Sequence, residues 1–128
     1  MKVVILCGGL GTRLKEETES RPKPMVEVGG RPILWHIMKT YAHYGYQDFL
    51  LCLGYKGDVI KNYFLSYEQL NNDFSIELGT GQIQLHNRHN EYGWKVSLVD
   101  TGLNAMTGAR VKRIEQYIED DCFLLTYG

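Results

Sequence analysis

The chain has 128 residues, 44% hydrophobic and 23% charged, with a net charge of −1. That is one domain of ordinary soluble composition, long enough to bury a real core. The balanced charge gives no footprint for nucleic acid or an anionic membrane surface, and no apolar run approaches the length that spans a bilayer, so a cytoplasmic protein is expected.

Val3, Val4, Ile5, Leu6 and Cys7 form a continuous apolar run, which predicts a strand buried on both faces, as in a parallel sheet. Gly8, Gly9 and Gly11 follow around Leu10. Glycines there let the backbone turn tightly and bring N–H groups to a ligand, and anionic oxygens are the natural guests. Thr12 adds a hydroxyl donor, and Arg13 adds a planar cation suited to phosphate. Lys23 sits between Pro22 and Pro24, which are expected to hold the chain extended and present the lysine from a stiff backbone. Together these groups suit a polyphosphate. The loop is not a P-loop, since no Gly-Lys-Ser/Thr follows, and it lacks the third glycine of the dinucleotide fingerprint. Residues 15–20 read as a polar surface segment, or as a flap over the phosphates.

Residues 25–28 suit a short strand, and Gly29-Gly30 a turn. Pro32 fits the first turn of a helix whose apolar stripe is Ile33, Leu34, Ile37, Met38, Tyr41 and Ala42, capped by Gly45. Trp35, His36 and His43 are expected to pack or to lie on the helix surface. Residues 49–53 predict a second buried strand. The segment Gly54-Tyr55-Lys56-Gly57 after it reads as a tight turn on the same sheet edge as the first loop, or as a base or ribose contact. Asp58 is expected to cap a helix with the stripe Val59, Ile60, Tyr63, Phe64 and Tyr67, broken at residues 71–73. Alternation in Phe74, Ile76 and Leu78, and again in Ile83 and Leu85, predicts a hairpin across Gly79-Thr80-Gly81.

Residues 86–90 predict an exposed polar loop, because His86 and His89 lack the carboxylates or thiolates of a metal site. Trp94, Val96 and Leu98 alternate into a strand ending at Val99-Asp100-Thr101-Gly102. A helix carrying Val111, Ile114 and Ile118 is expected next. Arg110 at its start opposes the helix dipole, which favours a ligand-facing role. Residues 122–126 predict another buried strand before Tyr127-Gly128. Cys7, Cys52 and Cys122 have no metal-type spacing and are expected to be buried thiols. Strands alternating with amphipathic helices imply an α/β domain with a largely parallel sheet, and the glycine motifs fall at strand C-terminal ends, where such sheets bind ligands.

Gly8-Gly9-Leu10-Gly11-Thr12-Arg13-Leu14 followed by Pro22-Lys23-Pro24-Met25 resembles the signature of sugar-1-phosphate nucleotidyltransferases. Val28-Gly29-Gly30-Arg31-Pro32-Ile33-Leu34-Trp35-His36-Ile37-Met38, Gly54-Tyr55-Lys56-Gly57, Val99-Asp100-Thr101-Gly102, Met106-Thr107-Gly108 and Thr126-Tyr127-Gly128 extend the resemblance to the cytidylyltransferase branch acting on glucose 1-phosphate. It covers the chain except for about residues 66–93.

The resemblance implies a Rossmann-like three-layer αβα domain with a mostly parallel sheet, of which residues 1–128 form the N-terminal nucleotide-binding part. It implies the reaction of CTP with glucose 1-phosphate to CDP-glucose and pyrophosphate. Gly8, Gly9, Leu10 and Gly11 would then meet the triphosphate. Thr12 and Arg13 would hold the departing phosphates, and Lys23 the α-phosphate, which makes Arg13 and Lys23 the catalytic candidates. Leu6, Ala105, Arg110 and Gly128 fall where the family meets the nucleotide, Ala105 offering only backbone. Mg²⁺ is implied as cofactor, with its aspartates beyond residue 128 and Asp100 the weak candidate within the chain. The full-length form is expected to be a homo-oligomer. The 128-residue chain alone is expected to bind CTP weakly, expose apolar surface and show no turnover. Thymidylyl-, uridylyl- and guanylyltransferases share the same loop. A nucleotide-binding module without turnover is the alternative from another class.

Overall fold

The structure is a computed structural model, and it describes residues 1–8, 21–87, 89–101, 114–118 and 123–128. Its frame is a four-stranded sheet in the spatial order Lys95–Asp100, Asp48–Leu53, Lys2–Leu6, Phe123–Tyr127, with every neighbouring pair parallel. The strands are β1 (Lys2–Leu6), β4 (Asp48–Leu53), β7 (Lys95–Asp100) and β8 (Phe123–Tyr127). Val3 faces Phe49 and Leu124 across the ladder, and Leu6 faces Cys52 and Tyr127. Because side chains alternate across a strand, the apolar run of β1 feeds two cores. Val3, Ile5, Cys7, Phe49, Leu51 and Leu53 face one side, and Val4, Leu6, Leu50 and Cys52 the other.

The first side is covered by helices α1 (Ile33–His43) and α2 (Gly57–Leu65), which bring Leu34, Met38 and Ile60 onto the sheet. The predicted stripes of both helices pack there, and each fully buried Leu or Met contributes about 1.5–3 kcal/mol of transfer free energy. On the second side Ile114 and Ile118 flank a 3-10 turn (Glu115–Tyr117) and lie against the sheet. Helix α1 ends in a Schellman motif: the Gly45 N–H donates to the Ala42 carbonyl at 2.9 Å, and the Tyr46 N–H to the Tyr41 carbonyl at 3.1 Å. Gly45, at φ +92°, supplies the left-handed residue this cap needs.

Several local expectations are corrected. Lys23–Met25 is a 3-10 turn, not an extended segment, because a proline φ fits both and Pro24 has no N–H to lose inside the turn. Strand β2 (Glu27–Val28) pairs with β3 (Arg31–Pro32) through Gly29 and Gly30, both at positive φ, so the short strand predicted there is half of a tight hairpin. The N-cap of α2 is Lys56, held left-handed at φ 49°, and Asp58 lies in the first turn, where its charge suits the dipole. The helical run breaks at Ser66, whose hydroxyl donates to the Asn62 carbonyl at 2.7 Å; a short helix α3 (Tyr67–Asn71) follows.

The predicted hairpin forms from β5 (Phe74–Ile76) and β6 (Ile83–Leu85), with Ile76 opposite Ile83. Its apolar side chains Phe74, Ile76, Ile83 and Leu85 are exposed. Strand β8 is less buried than predicted, with Leu125 44% exposed, since β1 lines only one of its edges among the described residues. Cys7 and Cys52 are buried as expected, and Cys122 lies outside the described residues; of the helix expected after Arg110, residues 111–113 also lie outside them, while 114–118 hold the 3-10 turn and not an α-helix.

Candidate nucleotide-binding site

All four strands of the sheet run parallel, so their C-terminal ends share one edge. The chain passes from β1 to β4 and on to β7, then returns to place β8 on the other side of β1. Strand order therefore reverses between β1 and β8, and a crevice opens at such a switch point. Leu6 closes β1 there, and Gly8 follows, buried. The Gly128 N–H donates to the Leu6 carbonyl at 2.9 Å, which extends the β1–β8 ladder past the last residue of the strand. On the other side the Cys7 N–H donates to the Cys52 carbonyl at 2.9 Å.

The Lys23 turn rests on this edge. Pro24 and Met25 are buried while Lys23 is exposed, and the Met25 N–H donates to the Pro22 carbonyl at 2.9 Å. The Pro24 ring is close enough to Gly128 that a Cβ on the glycine would stand 3.0 Å from Cγ. Leu6, Gly8, Lys23 and Gly128, far apart in sequence, are thus brought to one place. Gly9, Leu10, Gly11, Thr12, Arg13, Ala105 and Arg110 lie outside the described residues, as does the proposed flap of residues 15–20. Among the described residues no carboxylate forms an ion pair with Lys23.

The turn after β4 is tight: the Gly57 N–H donates to the Gly54 carbonyl at 3.0 Å, and Gly57 packs on Leu53. It follows β4, one strand from β1 on the side away from the switch point. Asp100 ends β7, two strand spacings or about 10 Å from β1. Its carboxylate accepts from the Lys61 ammonium at 2.8 Å. Among the described residues no three acidic, histidine or cysteine side chains group together as a metal would need.

A second polar arrangement, not expected from the sequence, ties residues 89–94 to the helices. Glu91 is only 6% exposed. Its carboxylate accepts from the Tyr67 hydroxyl, from Trp35 Nε1 at 3.3 Å and from Lys39 Nζ at 3.3 Å. Trp35 Nε1 is also 3.0 Å from the Tyr67 hydroxyl oxygen, and the Arg31 guanidinium stands 4.9 Å from the Trp35 ring centroid. Burial pushes the Glu91 carboxyl up, but the donors of Tyr67, Trp35 and Lys39 outweigh it and hold it below the usual glutamate value. Burial, together with the Glu91 acceptor, holds the Tyr67 hydroxyl protonated far above the ordinary phenol range. His89 corrects the exposed-loop expectation: its side chain is 7% exposed and meets Glu68 at 2.8 Å. The available signal was the spacing of Trp35 and Lys39, four residues apart on one side of α1. A cleft of about 460 Å³ opens beside this network, walled by Phe64, Tyr67, Trp94, Val96 and Leu98. Its walls are mostly apolar and do not include the Lys23 turn.

A parallel sheet flanked by helices, with Leu6, Gly8, the Lys23 turn and Gly128 gathered at its switch point, defines an α/β domain of the doubly wound kind. The chain belongs to the nucleotidyl transferase family, whose model matches residues 2–93. It is 54% identical, over its whole length, to glucose-1-phosphate cytidylyltransferase of Salmonella typhimurium, and 48% identical to the probable glucose-1-phosphate cytidylyltransferase of Bacillus subtilis. The chain spans about half the length of these relatives, 50% of each. Among solved structures, HddC from Yersinia pseudotuberculosis in complex with GMP-PN superposes with a TM-score of 0.70 at 31% identity, over 98% of this chain and 46% of that one. UTP-bound UGPase from Acinetobacter baumannii shares the fold, with a TM-score of 0.70 at 22% identity over 97% of this chain and 44% of that one. No helix among the described residues is long and apolar enough to cross a membrane.

Proposed function

We propose that this chain is the nucleotide-binding part of an enzyme that makes CDP-glucose and pyrophosphate from CTP and glucose 1-phosphate. The observation that carries the reading is the meeting of Leu6, Gly8, Lys23 and Gly128 at the sheet's switch point, in a chain 54% identical throughout to a glucose-1-phosphate cytidylyltransferase. A phosphate oxygen of the sugar phosphate attacks the α-phosphorus of CTP. The new P–O bond forms as the bond to the bridging oxygen of the β-phosphate breaks, and pyrophosphate leaves. Charge on the transferred group is spread over its non-bridging oxygens, so catalysis consists of positioning and electrostatic stabilisation.

Lys23, exposed and unpaired among the described residues, would oppose the charge on the α-phosphate. Gly8, Gly9 and Gly11 would turn backbone N–H groups toward the triphosphate, with Leu10 carried between them, and Thr12 and Arg13 would hold the β- and γ-phosphates. Leu6, Ala105, Arg110 and Gly128 would border the nucleoside. Magnesium would offset phosphate charge from ligands outside the described residues. Assembly as a homo-oligomer and a cytoplasmic location belong to the same proposal.

Calorimetry with CTP, UTP, dTTP and GTP tests the reading. A site built for the cytosine donor pattern leaves partners unpaired when uracil enters, so CTP should bind more tightly. Equal affinity for CTP and UTP would overturn the base assignment. Absence of nucleotide binding would overturn the site.

A further inference from the structure

The Lys23 turn is seated on a residue that has no side chain. Gly128 does not adopt a left-handed backbone, so nothing in its dihedrals calls for glycine. Space does. A Cβ there would stand 3.0 Å from Pro24 Cγ, 3.2 Å from Pro24 Cβ and 3.3 Å from Cys7 Sγ. Neither neighbour yields easily. The proline ring has no rotamer that swings it clear, and the Cys7 thiol is buried in the core beneath α1. The sheet is held on both sides of the contact by the Gly128–Leu6 and Cys7–Cys52 hydrogen bonds. The 3-10 turn has less behind it than a four-stranded ladder: its internal bonds Met25 N–H to Pro22 and Val26 N–H to Lys23, one bond from the Ile33 N–H to the Val26 carbonyl, and Met25 in the core. A crowded contact therefore relaxes by moving the turn, and Lys23 is its first residue.

We propose that Gly128 is a positioning residue for Lys23: the space left by its missing Cβ is the socket for the Pro24 ring, and that seat sets where the Lys23 ammonium stands at the end of β1. The inference rests on the reading of Lys23 as a phosphate contact. It adds a role played through Lys23 to the nucleoside border proposed for the Gly128 backbone.

Three measurements on the intact protein test it. Amide spectra of Gly128→Ala should show shifts concentrated at residues 22–26, with β4 unchanged. Shifts running through β1 and β4 instead would mean that the sheet gives way, and would overturn the proposal. In CTP titrations Gly128→Ala should weaken binding about fivefold to tenfold, and in a Lys23→Ala background the same change should cost less than about twofold, since coupled residues are not additive. Full affinity in Gly128→Ala would overturn the proposal, and so would additive losses, which would mean that the new methyl acts on the nucleotide directly and not through Lys23. The pair Pro24→Ala, Gly128→Ala removes Pro24 Cγ, the nearest of the atoms that crowd the new Cβ. It should unfold at a higher temperature than Gly128→Ala, and it serves as the test if the single variant folds poorly. A pair less stable than Gly128→Ala would overturn the socket. Wild-type protein that binds no CTP refutes the nucleotide reading alone, and the amide spectra then still decide the seat.

Discussion

The Tyr67 hydroxyl donates to the Glu91 carboxylate across 24 residues of chain, and this contact lies at the centre of a network that joins α1, α3 and the segment before β7. With Glu91 gone, the Tyr67 hydroxyl and the Trp35 indole N–H lose a shared acceptor in a partly buried place. Glu91→Ala should therefore lower unfolding stability by about 1–3 kcal/mol. Urea denaturation at neutral pH reads this directly, and a midpoint equal to wild type would show that water replaces the carboxylate.

The same carboxylate makes stability depend on pH. Its folded-state pKa is held below the usual 4.5, so its contribution is complete above that value and is lost as pH falls through the lowered one. The stability gap between wild type and Glu91→Gln should stay constant from pH 7 to about 5 and narrow below 4.5. Paired urea titrations across that range check the sign.

Lys23→Ala tests the site without disturbing the core, because the side chain is exposed. The thermal midpoint should match wild type, while CTP affinity falls. In a form of the protein that turns over, Lys23→Ala and Arg13→Ala should each lose about 2–4 kcal/mol of transition-state stabilisation. Near-normal turnover in either variant would remove that residue from the phosphate assignment.

Met38 is fully buried between α1 and the sheet. Met38→Ala leaves a cavity as well as losing transfer free energy, and should cost about 2–5 kcal/mol. Chemical denaturation measures it, with an unchanged slope expected if the fold persists.

Gly45→Ala places a Cβ on a residue at φ +92° that closes the Schellman cap. Open space surrounds the position, so the cost is backbone strain alone, about 1–2 kcal/mol. A loss of that size in the unfolding midpoint, with CTP binding unchanged, is the expected result.

The elements read most easily from sequence were those that rest on local chemistry. The unbroken apolar run of β1, the three- and four-residue stripes of α1 and α2, and Gly45 as a cap each carry their cause within a few residues. At the site, the glycine and lysine motifs marked the sheet edge, and the strand order brings Leu6, Gly8, Lys23 and Gly128 to it. The 3-10 turn at Lys23 was hidden because a proline φ satisfies both an extended chain and a turn. The Glu91 network was hidden for another reason. Trp35 and Lys39 reach Glu91 from 56 and 52 residues away, and no periodicity or motif encodes a pairing of that range. His89 looked like part of a polar loop for the same reason, since Glu68 and Tyr67 come to it only through the fold.

One arrangement in that network gives the protein an optical reporter. The chain has two tryptophans, and the Lys39 ammonium stands over both rings, 5.6 Å from the centroid of Trp35 and 5.9 Å from that of Trp94. Each indole thus feels the same positive charge, and Trp35 also feels the Glu91 carboxylate. Intrinsic emission is therefore a local gauge: its wavelength follows the seating of residues 89–94 against α1, while the turn that carries Lys23 contains no indole of its own.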